Sequence, residues 1–140
     1  MDSQVWAKLH GASVHFPIAM VLTSALLDLS GNLAPNPGLR VRMQAAGFWT
    51  MLVGALGTVP AVVSGLVMTR GVLLGHDQLR LHHLCAWPAF VLIVGTATWR
   101  VLALGRGERP LPVSYLGAAG LCAGLVMAAG YFGGELALAN

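Results

Sequence analysis

Five histidines, His10, His15, His76, His82 and His83, carry most of the chemistry this 140-residue chain offers. A neutral imidazole is a metal ligand and a proton carrier. Neighbouring residues separate the five. His15 has Gly11 and Ala19 one helical turn to either side, and His82 is followed by Cys85, Ala86 and, a turn later, Ala89. Positions three and four apart share a helix face, so both rings sit among small side chains, as a flat macrocycle lying against a helix requires. His83 is turned about 100° from His82, toward Ala86, Trp87 and Phe90, a bulkier set.

Two imidazoles at one depth on different helices can fill both axial positions of an iron porphyrin, which leaves no open site and favours electron transfer over oxygen chemistry. The expectation is one haem b with His15 and His82 as iron ligands and His83 as the first substitute. Arg70, Arg80 and Lys8 are the cations best placed for its propionates. A second haem using His10 with His76 or His83 ranks below one, because His10 and His76 fall in or near loops where water satisfies an isolated ring. A zinc or copper site at His15 and His82, joined by His83 and Glu135, is an alternative, although neither H-x3-H nor C-x2-C spacing occurs.

The elements that must position these rings follow from hydropathy. Four apolar stretches, Ser13–Leu33, Ala45–Met68, Leu79–Leu104 and Val113–Leu138, each exceed the roughly 20 residues needed to cross a bilayer core. The expected fold is all-α, an up-down bundle of four transmembrane helices in one integral membrane domain over residues 1–140, both termini on the same outer side. That topology gathers all five histidines at one end. Ser13 reads as an N-cap with Pro17 in the first turn, and Ala34-Pro35-Asn36-Pro37-Gly38 reads as a turn. Pro60 and Pro88 fall inside spans, and Asp77 is a candidate cap for the third. Gly120-xxx-Gly124 and Gly130-xxx-Gly134 let another helix or a flat ligand approach the fourth. No internal repeat is evident.

Composition agrees. Only 9% of residues are charged and 56% are hydrophobic, against roughly a quarter charged in soluble domains. The excess of Lys and Arg, eight against five acids, is small and lies in loops, which argues for orientation and against nucleic-acid binding. Met1-Asp2-Ser3-Gln4 lacks a basic leader, so the first span reads as retained. Trp6, Trp87 and Tyr131 fall toward the histidine end and Trp49, Trp99 and Tyr115 toward the other, as interfacial belts would. Lys8, Arg70 and Arg80 flank the histidine end; Arg40, Arg42, Arg100, Arg106 and Arg109 flank the opposite end. Positive charge is retained in the cytoplasm, which sets termini and histidines outward. Cys85 and Cys122 read as apolar fillers rather than a disulfide.

Nothing suggests classical catalysis: there is no nucleophilic triad and no phosphate-cradling loop. Asp28 and Arg100, at the ends of spans one and three, are expected to snorkel or to pair with each other, and without buried charge pairs a transport path is not evident. With histidines at one end only, the chain alone does not carry electrons across the bilayer.

The segment His10-Gly11-Ala12-Ser13-Val14-His15-Phe16-Pro17-Ile18-Ala19 resembles the opening motif of a family of small bacterial four-span membrane proteins, domain of unknown function 2231. The likeness extends to Asp28, to Ser64-Gly65-Leu66, to the histidine opening span three and to Gly130-Tyr131-Phe132-Gly133-Gly134-Glu135. VHFPIA is its specific part, and Glu135-Leu136-Ala137 is more polar than the family's pattern. The resemblance implies four spans and a respiratory setting beside Rieske-type or c-type cytochrome domains. Together these readings point to a cytochrome-like electron-transfer subunit in membrane lipid, partnered by other subunits of a redox complex, or to an accessory subunit of a respiratory or photosynthetic assembly in which Glu135 could relay protons.

Overall fold

The computed structural model describes residues 3–105 and 109–138. Met1, Asp2 and Arg106, used above for leader and orientation, lie outside the described residues. Four helices follow in chain order: α1 (Ser3–Leu33), α2 (Pro37–Met68), α3 (Asp77–Trp99) and α4 (Val113–Leu138). A single π-turn, Arg100–Leu104, extends α3 and closes with the Gly105 N–H donating to the Arg100 carbonyl at 2.9 Å. No strand occurs among the described residues. All four helices are long and apolar enough to span a membrane, and the chain is a multi-pass, all-α membrane protein.

Three boundaries differ from the sequence expectation. The first helix is already formed at Ser3, so Ser13 is interior and its hydroxyl bonds back to the His10 carbonyl at 3.0 Å rather than capping. His10 consequently belongs to a helix, not a loop, and Pro17 lies well inside it. The turn before α2 is also shorter. Asn36 caps that helix, its side chain accepting from the N–H groups of Gly38 (2.7 Å) and Leu39 (3.2 Å), and Pro37 occupies the first helical position, where a missing N–H costs nothing. At α3 the capping position belongs to His76, which makes no side-chain cap bond, and Asp77 is the first helical residue.

Buried residues show which faces meet. On α1 they are Pro17, Val21, Ser24, Asp28 and Gly31, alternating four and three apart as a helix packed against a near-antiparallel neighbour requires. Small residues on α2 bring its backbone close: a Cβ at Gly54 would stand 3.2 Å from Val21 Cγ2. Val21, Met51, Ile93, Ala119 and Cys122 form the centre of the core. Each hairpin, α1–α2 and α3–α4, packs more intimately within itself than against the other, leaving a seam between them. Large apolar side chains such as Leu26, Leu56, Val91 and Leu102 point outward, the surface hydrocarbon would cover. Cys85 and Cys122 are free thiols, the latter buried beside Thr96.

Candidate functional site

The antiparallel hairpins place the start of α1 beside the end of α2 and the start of α3 beside the end of α4. At that end two half-buried imidazoles meet across the seam. The rings of His10 and His82 lie 6.4 Å apart, centroid to centroid, edge to face at 85°. Each is tied to the second helix of its own hairpin. His10 Nδ1 stands 3.0 Å from the Ala61 carbonyl and 3.2 Å from Ser64 Oγ; His82 Nδ1 stands 2.9 Å from the Ala129 carbonyl. A carbonyl oxygen only accepts, so these contacts require a proton on the Nδ1 of each ring, which in a neutral imidazole leaves the lone pair on Nε2. Among the described residues no hydrogen bond engages either Nε2. Ser64 itself donates to Ala61 at 3.0 Å and lies 3.4 Å from Ser13 Oγ, which braces the first anchor.

The other candidates divide. His15 is exposed and is not brought to His82. The reason is helical phase: five residues turn the chain about 140° beyond a full revolution, so with His10 facing the seam His15 faces outward. His83 is buried, 5.7 Å from the His82 ring and 6.2 Å from Trp87. Its Nδ1 accepts from the Gly75 N–H at 3.3 Å, so its lone pair is spent on the α2–α3 connection. His76 is exposed, as are Lys8, Arg70, Arg80 and Glu135. Among the described residues no group of three or more His, Cys, Asp or Glu side chains gathers to hold a metal ion.

The opposite end holds a polar centre that the sequence reading touched only as a possible pairing. Arg100 Nη2 donates to Asp28 Oδ1 at 3.0 Å and to the Gln44 carbonyl at 2.9 Å, and Tyr115 Oη donates to Asp28 Oδ2 at 3.1 Å. Asp28, Arg100, Gln44 and Tyr115 are all fully buried. The guanidinium also lies 5.0 Å from the centre of the Tyr115 ring, a cation–π contact. Tyr115 is therefore a core hydrogen-bonding residue and not an interfacial anchor, and the bundle does contain a buried charge pair. Around it, Ser24 donates to the Gly47 carbonyl at 2.8 Å, and Gln44 Nε2 donates to Asn32 Oδ1 at 2.6 Å. Asn32 in turn exchanges two 2.8 Å bonds with the backbone of Leu111. All four helices converge on this network, which gives these residues partners that lipid cannot, although Gln44 Oε1 and the Nε and Nη1 of Arg100 find none among the described residues. The available signal was the spacing of Ser24, Asp28 and Gly31 on the same α1 stripe as Pro17 and Val21.

No curated protein and no solved structure matches the chain. A family model described as predicted membrane protein (DUF2231) matches residues 7–140, which takes in both the imidazole pair and the buried ion pair; the chain belongs to that family.

Proposed function

We propose that this protein is a membrane b-type cytochrome-like electron-transfer subunit that holds one haem b in the seam between its hairpins, with His10 and His82 as the axial pair. The observation that carries this reading is the state of the two rings. Metal-ligating histidines characteristically donate their second ring N–H to a carbonyl or carboxylate, which fixes tautomer and orientation. His10 and His82 both do so, to Ala61 and Ala129. The 6.4 Å separation of the rings is that of an ordinary edge-to-face contact, so the pinned Nδ1–H groups, rather than the distance, support the reading. Two protein donors suit a porphyrin iron, whose macrocycle supplies four nitrogens, better than zinc or copper, which would need further side chains.

When bound there, haem would supply one-electron transfer without an open coordination site. The chain's own part is to orient the ligands, to exclude water from the seam and to offer Lys8, Arg70 and Arg80 at the same end for the propionates. Retention of positive charge in the cytoplasm supports a periplasmic placement of this end in a bacterial inner membrane. A c-type cytochrome or Rieske-type protein is the partner class suited to that face. The accessory-subunit reading draws on a separate observation: a Cβ at Gly117, Gly120 or Gly124 would meet nothing within 4 Å, so one face of α4 is free for a neighbouring helix.

A pyridine haemochrome assay on the purified protein tests the proposal. The expected result is a b-type spectrum that His10→Ala and His82→Ala each abolish and His15→Ala leaves intact. Absence of haem after expression with ample haem supply, or stoichiometric zinc or copper without a Soret band, overturns it.

A further inference from the structure

The two hairpins build their imidazole anchors in the same way. In the first, His10 near the start of α1 reaches the Ala61 carbonyl of α2, and Gly65 follows Ala61 by one turn. In the second, His82 near the start of α3 reaches the Ala129 carbonyl of α4, and Gly133 follows Ala129 by one turn. A Cβ at Gly65 would stand 3.0 Å from His10 Cε1 and 3.3 Å from its Nδ1. A Cβ at Gly133 would stand 3.3 Å from His82 Nδ1 and 3.4 Å from its Cε1. The neighbouring glycines behave differently: Gly130 abuts Ile18, and Gly124 and Gly134 meet nothing within 4 Å.

We infer that Gly65 and Gly133 are positioning residues for the two imidazoles, one in each half of a structurally repeated site. The physical reason is the geometry of a helical carbonyl. The oxygen of residue i already accepts the N–H of residue i+4, and Cβ atoms tilt toward the helix N-terminus, so the side chain at i+4 leans over that same oxygen. Its second lone pair is thereby shielded. With glycine at i+4 the space over the oxygen stays clear, and the ring of a neighbouring helix can lie against the backbone and donate to it, at Ala61 alongside the Ser64 hydroxyl. The doubled arrangement, histidine on the first helix and carbonyl plus glycine on the second, defines a repeat invisible in the residue order alone. It presents two Nδ1–H rings of matching tautomer to one seam.

This inference rests on the haem reading for its functional consequence, but the ring tautomers belong to the polypeptide itself and can be read without any cofactor. Nitrogen NMR of the chain labelled with 15N-histidine, in nanodiscs without haem and at about pH 8, above the ordinary imidazole pKa of about 6.5, should show His10 and His82 as Nδ1–H tautomers. Gly65→Ala should shift or broaden the His10 signals alone, and Gly133→Ala the His82 signals alone. Gly124→Ala, which meets nothing, should alter neither. In haem-loaded protein the first two variants should each lower haem retention several-fold, Gly65→Ala the more because its contact is tighter. Wild-type rings protonated on Nε2 overturn the inference, as do glycine variants that leave both rings unchanged. Should Gly65→Ala fail to fold, the wild-type tautomers and Gly133→Ala still decide it. The expected tautomers without any haem binding would overturn the haem reading and leave the positioning role supported.

Discussion

The Arg100 guanidinium and the Asp28 carboxylate meet at 3.0 Å with neither side chain exposed, in the half of the bundle farthest from the histidines. Burying either charge alone would cost several kcal/mol even after relaxation. Together they are neutral; Arg100 Nη2 also donates to the Gln44 carbonyl and the Tyr115 hydroxyl donates to Asp28, while Arg100 Nε and Nη1 meet no hydrogen-bond partner among the described residues. The pair ties α1 to the end of α3, and Tyr115 adds α4.

Removing one partner leaves an uncompensated buried charge. Asp28→Ala and Arg100→Leu should each destabilise the protein by about 3–5 kcal/mol. The double variant Asp28→Ala with Arg100→Leu should lose less than the sum of the two single losses. Denaturant unfolding in micelles, arranged as a double-mutant cycle, measures this; additive losses would mean that the two charges do not act as a pair.

Tyr115→Phe removes one donor to a carboxylate that keeps its arginine. The expected loss is about 1–2 kcal/mol, clearly below that of Arg100→Leu. Equal losses in the same unfolding assay would show that the hydroxyl matters to the centre as much as the guanidinium, against this expectation.

At Gly47 an added Cβ would land directly on the Asp28 carboxylate, 2.8 Å from Cγ. Gly47→Ala should therefore destabilise the bundle although alanine is the better helix former. Gly120→Ala, which meets nothing within 4 Å, should be neutral or stabilising by up to about 1 kcal/mol. A stabilising Gly47→Ala would contradict the packing described.

His83→Ala should loosen the α2–α3 connection by freeing the Gly75 N–H from its acceptor. Hydrogen exchange at Gly75 should accelerate while haem content stays at the wild-type level. Haem loss without faster exchange would instead make His83 a ligand.

Much of the architecture was legible in the residue order. Span number, up-down order and the gathering of histidines at one end follow from hydropathy and length, because the bilayer imposes a common helix length whatever the packing. Even the partnership of Asp28 with Arg100 was open to view, since both fall at the same end of their spans.

Which ring faces inward was not legible, because in a membrane the lipid-facing and protein-facing sides of a helix are both apolar and no polar side marks the exterior. Small neighbours therefore favoured His15, whereas packing turned His10 into the seam. Tyr115 looked like an interfacial aromatic until α4 carried it beneath Arg100. The repeated carbonyl-and-glycine anchors exist only once α2 and α4 lie against the helices that bear the histidines. Local chemistry set the elements and the end at which the imidazoles collect. Helix phase and the approach of neighbouring backbones, which arise only on packing, chose the pair that meets.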